Sequence, residues 1–227
     1  MTKKQRKRKK KLQSLNRHLV KKYYWLEPKR WDGKRDKDYD YTYIHWGWSD
    51  GWNKAFGNIY MKELGDAINE AGQKDFQILQ VKSKFAQARL YCGGSTRKVL
   101  DIIDKYERIS EHICERCGCE APMIQEGNWL SVYCPRCYRL LCRRREQWFN
   151  TKEGYIPKTD EEINEIYKEC IIDKPDENGE YHIPKSYKVR QYHDGVFEGI
   201  TIDISDTVEK IQKRISGFKR RELCGLL

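Results

Sequence analysis

Ala55, Phe56, Ile59, Leu64, Ala67, Ile68 and Ala71 recur at intervals of one, three, four or five, with Ser49-Asp50 ahead of them and Gly72 behind. That rhythm predicts a helix over about 52–71, capped at its start by Ser49-Asp50 and stopped by the glycine. The pattern then changes period. Phe76 to Lys82 and Ala86 to Cys92 are β-type stretches, with polar residues between them and Gly93-Gly94 after them, and they predict a hairpin. Val99, Ile103, Tyr106 and Ile109 restore the helical spacing and predict a second helix over about 96–110.

Further along, Trp129-Leu-Ser-Val-Tyr133 has the composition of a strand. Thr159 and Glu162 form a capping box for a short helix carrying Ile163, Ile166, Tyr167 and Cys170. Asp176-Glu-Asn-Gly179 predicts a turn, and strands follow at about 186–192 and 196–203, joined by a turn at His193-Asp194-Gly195. A last amphipathic helix starts at about Asp206. The segment from Tyr23 to Tyr43 is aromatic and charged, which predicts irregular chain pinned by Trp25, Trp31 and Tyr41. The fold class expected is α+β. It comprises a small helix-plus-hairpin core (23–113), an inserted zinc ribbon with a basic exit (114–148), a C-terminal α/β extension (149–227) and a disordered basic arm (1–22).

Charge separates the arm from the body. Residues 1–22 hold eleven Lys or Arg and no acid: Lys3, Lys4, Arg6, Lys7, Arg8, Lys9, Lys10, Lys11, Arg17, Lys21 and Lys22. The whole chain has 45 basic and 34 acidic residues, so the remainder balances at 34 against 34. A polycation appended to a neutral body calls for a polyanionic partner, although Leu12, Leu15 and Leu19 would also let the arm fold as a helix on that partner. No apolar run follows the basic start, so neither a secretory signal nor a membrane span is expected. Nine cysteines without a secretory signal predict thiols and metal ligands rather than disulfides, and the cytoplasm of a cell as the location.

The chemistry concentrates in one place. Cys114-Glu-Arg-Cys117 and Cys134-Pro-Arg-Cys137 are separated by sixteen residues, the spacing of a zinc ribbon. Two residues between cysteines let one tight turn aim both thiolates at one ion, and two such turns complete a tetrahedron with no open position. One structural zinc held by Cys114, Cys117, Cys134 and Cys137 is therefore expected. The plainer reading, four buried thiols, does not account for the repeated spacing. Cys119 and Cys142 lie near the pairs and could substitute as ligands, but neither has the two-residue bite, and both are read as spectators. Cys92, Cys170 and Cys224 are read as small hydrophobic residues.

Tyr39-Asp-Tyr-Thr-Tyr43, Gly51-Trp-Asn-Lys-Ala-Phe-Gly57, Gln80-Val-Lys-Ser-Lys-Phe85, Arg89-Leu-Tyr91 and the two cysteine pairs together resemble a group of uncharacterised bacteriophage and prophage zinc-ribbon proteins. The resemblance covers about residues 39–137. Members of that group have Gly-Gly after Lys-Phe where this chain has Ala86-Gln87, which implies a hairpin turn built differently. The resemblance implies a phage origin, an accessory role and the bacterial host's cytoplasm; it supplies no catalytic residues.

Three functional classes fit these features. The first is non-catalytic nucleic-acid binding, DNA or RNA, through the arm (Lys3, Lys4, Arg6, Lys7, Arg8, Lys9, Lys10, Lys11, Arg17) and the ribbon's exit (Arg136, Arg139, Arg143, Arg144, Arg145), where Tyr138 and Trp148 could stack on bases. Lys213, Arg214, Lys219, Arg220 and Arg221 form a third basic cluster; a solvated face accounts equally well for this cluster and the ribbon's exit, and less well for the arm, whose eleven like charges without an acid call for an anion. The second class is an inhibitor or adaptor that docks on a host protein or ribonucleoprotein complex, such as a defence nuclease, through exposed aromatics including Trp48 and Trp52. The third is an HNH-like nuclease centred on His182-Ile-Pro184, for which the second metal-binding histidine and the acidic and Asn positions are missing. The expectation is a binding protein rather than an enzyme.

Overall fold

A computed structural model describes residues 2–3, 6–7, 18, 20–27, 34, 48–149, 156–193 and 196–224. It is a mixture of helices and three separate two-stranded antiparallel hairpins, as the α+β expectation requires. The elements are α1 (Asp50–Trp52), a π-helical turn (Asn53–Gly57), α2 (Asn58–Glu70), β1 (Gln77–Lys84), β2 (Gln87–Gly93), α3 (Arg97–Ser110), β3 (Met123–Glu126), β4 (Trp129–Val132), α4 (Pro135–Phe149), α5 (Asp160–Cys170), β5 (Ser186–His193), β6 (Val196–Asp203) and α6 (Ser205–Cys224).

The main core gathers apolar faces from both halves of the chain. Phe56, Tyr60, Leu64 and Ile68 meet Val99, Ile103, Tyr106 and Ile109 of α3, and the inner faces of β1 and β2 add Ile78, Val81, Ala88 and Leu90. Rings stack in series, Trp48 on Tyr60 at 5.1 Å and Tyr60 on Tyr106 at 4.2 Å between centroids, a geometry that adds directional attraction to the area buried. Val208, Ile211 and Ile215 of α6, with Ile183 and Ile204, close the same core. Sequence-distant residues therefore seal the helix-plus-hairpin unit, and the stretch expected as a C-terminal extension contributes to its interior. Trp25 and Leu26, in a 3₁₀ turn at Tyr24–Leu26, are also buried there. Trp31, Tyr41 and the turn residues Asp194 and Gly195 lie outside the described residues.

Trp48 and Trp52 are 4% and 0% exposed, so the expectation that they serve as docking anchors is corrected. Their indole N–H groups are also committed, to the carbonyls of Arg89 (3.2 Å) and Ile113 (2.8 Å). The helix start differs from expectation in detail: Ser49 has the extended backbone of a cap, but its hydroxyl donates to Glu115 rather than capping the helix. Thr96 does cap α3, and Thr159 with Glu162 forms the expected reciprocal box on α5.

The β1–β2 turn is the strained point of the backbone. Only Phe85 and Ala86 separate the strands, and both have positive φ, 54° and 61°. A two-residue hairpin demands such φ values and usually uses Asn or Gly for them, since other residues are disfavoured by about 1–2 kcal/mol each. Burial offsets the strain here. Ala86 is 1% exposed and packs with Cys114, Ala121, Val132 and Cys137, whereas Phe85 projects outward at 56% exposure.

Candidate metal centre and basic surface

Local structure brings the cysteines together in two unlike ways. After Cys114 the chain makes a tight knuckle: Gly118 N–H donates to Cys114 C=O (2.9 Å), Cys114 N–H donates to Cys119 C=O (2.7 Å), and Gly118 takes φ +82°. Hairpin β3–β4 follows, pairing Met123 with Val132 through Glu126 with Trp129. The second pair does not form another knuckle. Pro135 opens helix α4, where a missing N–H costs nothing, and Tyr138 N–H donates to Cys134 C=O (2.9 Å). Knuckle, hairpin and helix follow one another where the sequence predicts a ribbon with a basic exit, so the exit is helical. Arginines occupy much of the α4 surface and mask its helical pattern, which Pro135 and the spacing of Tyr138, Leu141 and Cys142 mark.

The thiols of Cys114, Cys117, Cys119 and Cys134 all lie within 4.8 Å of one another and could hold a metal ion. Among the described residues this is the one group of Cys, His, Asp or Glu so arranged. Three of the four expected ligands belong to it, and Cys119, read as a spectator, is the fourth member; its Sγ is 3.2 Å from that of Cys117. Cys117 and Cys134 are 3.7 Å apart across the two elements. Cys137, buried at the first turn of α4, interacts with the thiols of Cys114, Cys117 and Cys134. Hydrogen bonds from Cys117, Cys119, Cys134 and Cys137 hold the Cys114 thiol far below its ordinary pKa, and Cys114 in turn pushes those of Cys119 and Cys137 up. Crowded thiols of this kind cannot all ionise unless a cation sits among them. The eight described cysteines are all free thiols.

The knuckle is fastened to the main core by backbone. Gly51 N–H donates to Glu115 C=O (2.8 Å), Glu115 N–H donates to Val132 C=O (2.9 Å), and the Glu115 carboxylate accepts from Val132 N–H (3.1 Å). On the other side, Tyr138, Ile124, Ile163 and Tyr167 form a second small core, and Tyr167 Oη donates to Tyr133 C=O (2.7 Å). Helix α5, placed by the sequence reading outside the metal module, therefore packs on it. Cys142 and Cys170 are half-buried there, burial pushes the Cys142 thiol up, and Cys92 packs on the main core. The side chain of Cys224 lies outside the described residues.

The basic residues have divided roles. Arg143 is paired with Glu146 (3.0 Å) and Asp160 (2.6 Å), Arg139 with Asp160 (3.5 Å) and Arg145 with Glu126 (2.9 Å), so these three tie α4 to α5 and to the hairpin. Arg136 and Arg144 are exposed and make no ion pair with another described residue. Lys3, Arg6 and Lys7 are helical and exposed, while Lys4, Arg8, Lys9, Lys10, Lys11 and Arg17 lie outside the described residues. In the third cluster, Arg214 donates to Lys54 C=O (2.6 Å). The side chain of Trp148 also lies outside the described residues.

Among the described residues His182 faces carboxylates: Glu120 is 3.5 Å from Nδ1, with Asp176 at 3.5 Å and Glu180 at 3.3 Å from Nε2. Ile183 beside it is buried and donates its N–H to Glu120 (3.2 Å), which holds this segment against the knuckle. Among the described residues no helix is long and apolar enough to cross a membrane. Comparison with protein-family models, curated proteins and solved structures returned no match to this chain.

Proposed function

We propose that the chain is a phage-type accessory protein that binds nucleic acid without catalysis, its fold stapled by one structural zinc. The observation that carries the metal assignment is the convergence of thiols from a knuckle and a helix start, since an all-thiolate donor set suits zinc and leaves no open position for a reacting water. Thiolates around a tetrahedral zinc at ~2.3 Å lie ~3.8 Å apart. The 3.7 Å between Cys117 and Cys134 fits that edge, and the 3.2 Å between Cys117 and Cys119 is too short for it. On this reading Cys114, Cys117, Cys134 and Cys137 are the ligands, and Cys119 accepts a hydrogen bond from the Cys117 thiol. The start of α4 adds the positive end of its dipole to thiolates at Cys134 and Cys137.

Nucleic acid as the partner rests on exposed cations that pair with no acid among the described residues. Lys3, Arg6, Lys7, Arg136 and Arg144 are all exposed, and the arm's remaining charges extend the same polycation. A host protein as the target is favoured by one observation, the 79% exposure of Trp129 at the tip of β3–β4. Metal analysis of the purified chain should find one zinc per protomer, and Cys134→Ser should lose it together with the local fold. Recovery of the tagged protein from its host, followed by sequencing of bound nucleic acid and mass spectrometry of bound protein, separates the two partners. Zinc-free protein with native spectra removes the metal assignment; recovery with protein alone removes the nucleic-acid reading.

A further inference from the structure

The β1–β2 hairpin and the start of α3 carry no acid: residues 76–100 contain Lys82, Lys84, Arg89, Arg97 and Lys98 and neither Asp nor Glu. Three of these cations are answered inside the protein, Arg89 by Glu107, Arg97 by Asp101 and Lys98 by Glu70. Lys82 and Lys84 pair with no acid among the described residues, and Lys82 Nζ donates to Gln80 Oε1 (2.8 Å). Each ammonium instead sits over an aromatic ring that is itself exposed: Lys82 over Tyr91, 4.6 Å from the centroid, and Lys84 over Phe85, also 4.6 Å. Tyr91 is 40% and Phe85 56% exposed. The register places Gln80 opposite Tyr91 and Lys82 opposite Arg89, so Gln80, Lys82 and Lys84 share one face of β1 with Tyr91 of β2.

We propose that this face and its tip form a binding surface for single-stranded nucleic acid, with Phe85 and Tyr91 stacking on bases and Lys82 and Lys84 reaching the flanking phosphates. The inference rests on the nucleic-acid reading above and names the form of the ligand. Paired bases in a duplex hide their faces, so projecting rings favour strands whose bases are unstacked and free. Charge complementarity selects a polyanion over a neutral peptide, because the hairpin itself contributes Lys82 and Lys84 and no acid, while the neighbouring carboxylates Glu107 and Glu111 at the end of α3 are taken by Arg89 and Gln87. The strained turn explains how the tip is presented. The positive-φ pair sends Ala86 into the thiol cluster and Phe85 out to solvent, so the metal module anchors the stacking ring on a rigid base.

The test uses the full chain, a fluorescein-labelled 20-nucleotide oligothymidine and a labelled 20-base-pair duplex, with affinities measured by anisotropy at several salt concentrations. Phe85→Ala with Tyr91→Ala should weaken oligothymidine binding by about tenfold or more, leave duplex binding within about twofold, and leave the salt slope unchanged, since no charge is removed. Lys82→Gln with Lys84→Gln should lower the single-strand slope by about 1.4, at ~0.7 per phosphate contact. Phe85→Gly separates binding from folding: it relieves the left-handed strain and should hold or raise the melting temperature while still losing single-strand affinity. Wild-type chain that binds neither oligomer overturns this proposal and the nucleic-acid reading together. Wild-type binding that the hairpin substitutions leave unchanged, or weaken equally for both oligomers, overturns this proposal alone.

Discussion

Replacing Gly51 with alanine tests how the metal module is joined to the core. A Cβ at that position would lie 2.6 Å from the carbonyl carbon and oxygen of Glu115, and closer still to the carbonyl oxygen of Cys114. Ordinary contact begins at 3.4 Å, so the knuckle backbone must retreat by about 0.8 Å or more. Retreat breaks Gly51 N–H to Glu115 C=O and stretches Trp52 Nε1–H to Ile113 C=O, each 2.8 Å and the second fully buried. A net hydrogen bond contributes about 1 kcal/mol, and a buried donor left alone costs about 1–3 kcal/mol. The sum is roughly 3 kcal/mol, which for a chain of this size lowers the melting temperature by about 6–12 °C. Thermal melts followed by circular dichroism, with zinc present and with a chelator, read the effect. Because the lost contacts belong to the folded knuckle, Gly51→Ala should also weaken zinc retention. A melting temperature within 2 °C of wild type, with unchanged zinc affinity, would refute the claim that backbone contact at Gly51 couples the two parts.

Further outcomes follow from particular side chains. Cys119→Ser should retain one zinc per protomer while Cys137→Ser loses it or binds it far more weakly; the reverse result, read by metal analysis after dialysis, would make Cys119 the fourth ligand. Gly217, within α6 and with open space around its Cβ position, should tolerate alanine with a gain of about 0.5–1 kcal/mol in denaturant unfolding. The Glu107 carboxyl is held above its ordinary value of 4.5 by burial, with Arg89 opposing the shift. An acid whose folded pKa is raised contributes stability that is complete below its unfolded value and is lost as pH rises through the folded value. Wild-type stability relative to Glu107→Gln should therefore fall as pH rises from about 4.5; a pH-independent difference in unfolding midpoints contradicts this.

Short-range patterns carried most of the secondary structure into view. The second helix expected over about 96–110, the capping box at Thr159 and Glu162, and both outer hairpins depend on residues within a few positions of one another, and all stand where the local pattern places them. The cysteine spacing likewise pointed to thiols that the fold does bring together. Long-range facts were not legible. Nothing local to Cys119 announces that its carbonyl accepts from Cys114 N–H and thereby turns its thiol toward Cys117. Trp48 and Trp52 looked available for docking because composition does not show which aromatics a distant helix and hairpin will cover. The arginines of α4 read as one basic patch until Asp160 and Glu126, brought in by other elements, answered three of them.

The salt dependence of nucleic-acid affinity reads whether the arm's cations grip phosphates. Labelled duplex DNA is titrated with the full chain, and with a chain lacking residues 1–22, across a series of salt concentrations. Each phosphate contact contributes roughly 0.9 to the slope of log affinity against log salt. Removing the eleven cations of the arm should therefore weaken binding strongly and flatten the slope by several units, while Arg136→Gln with Arg144→Gln should flatten it by at most about two. An arm deletion that leaves both affinity and slope unchanged contradicts the account.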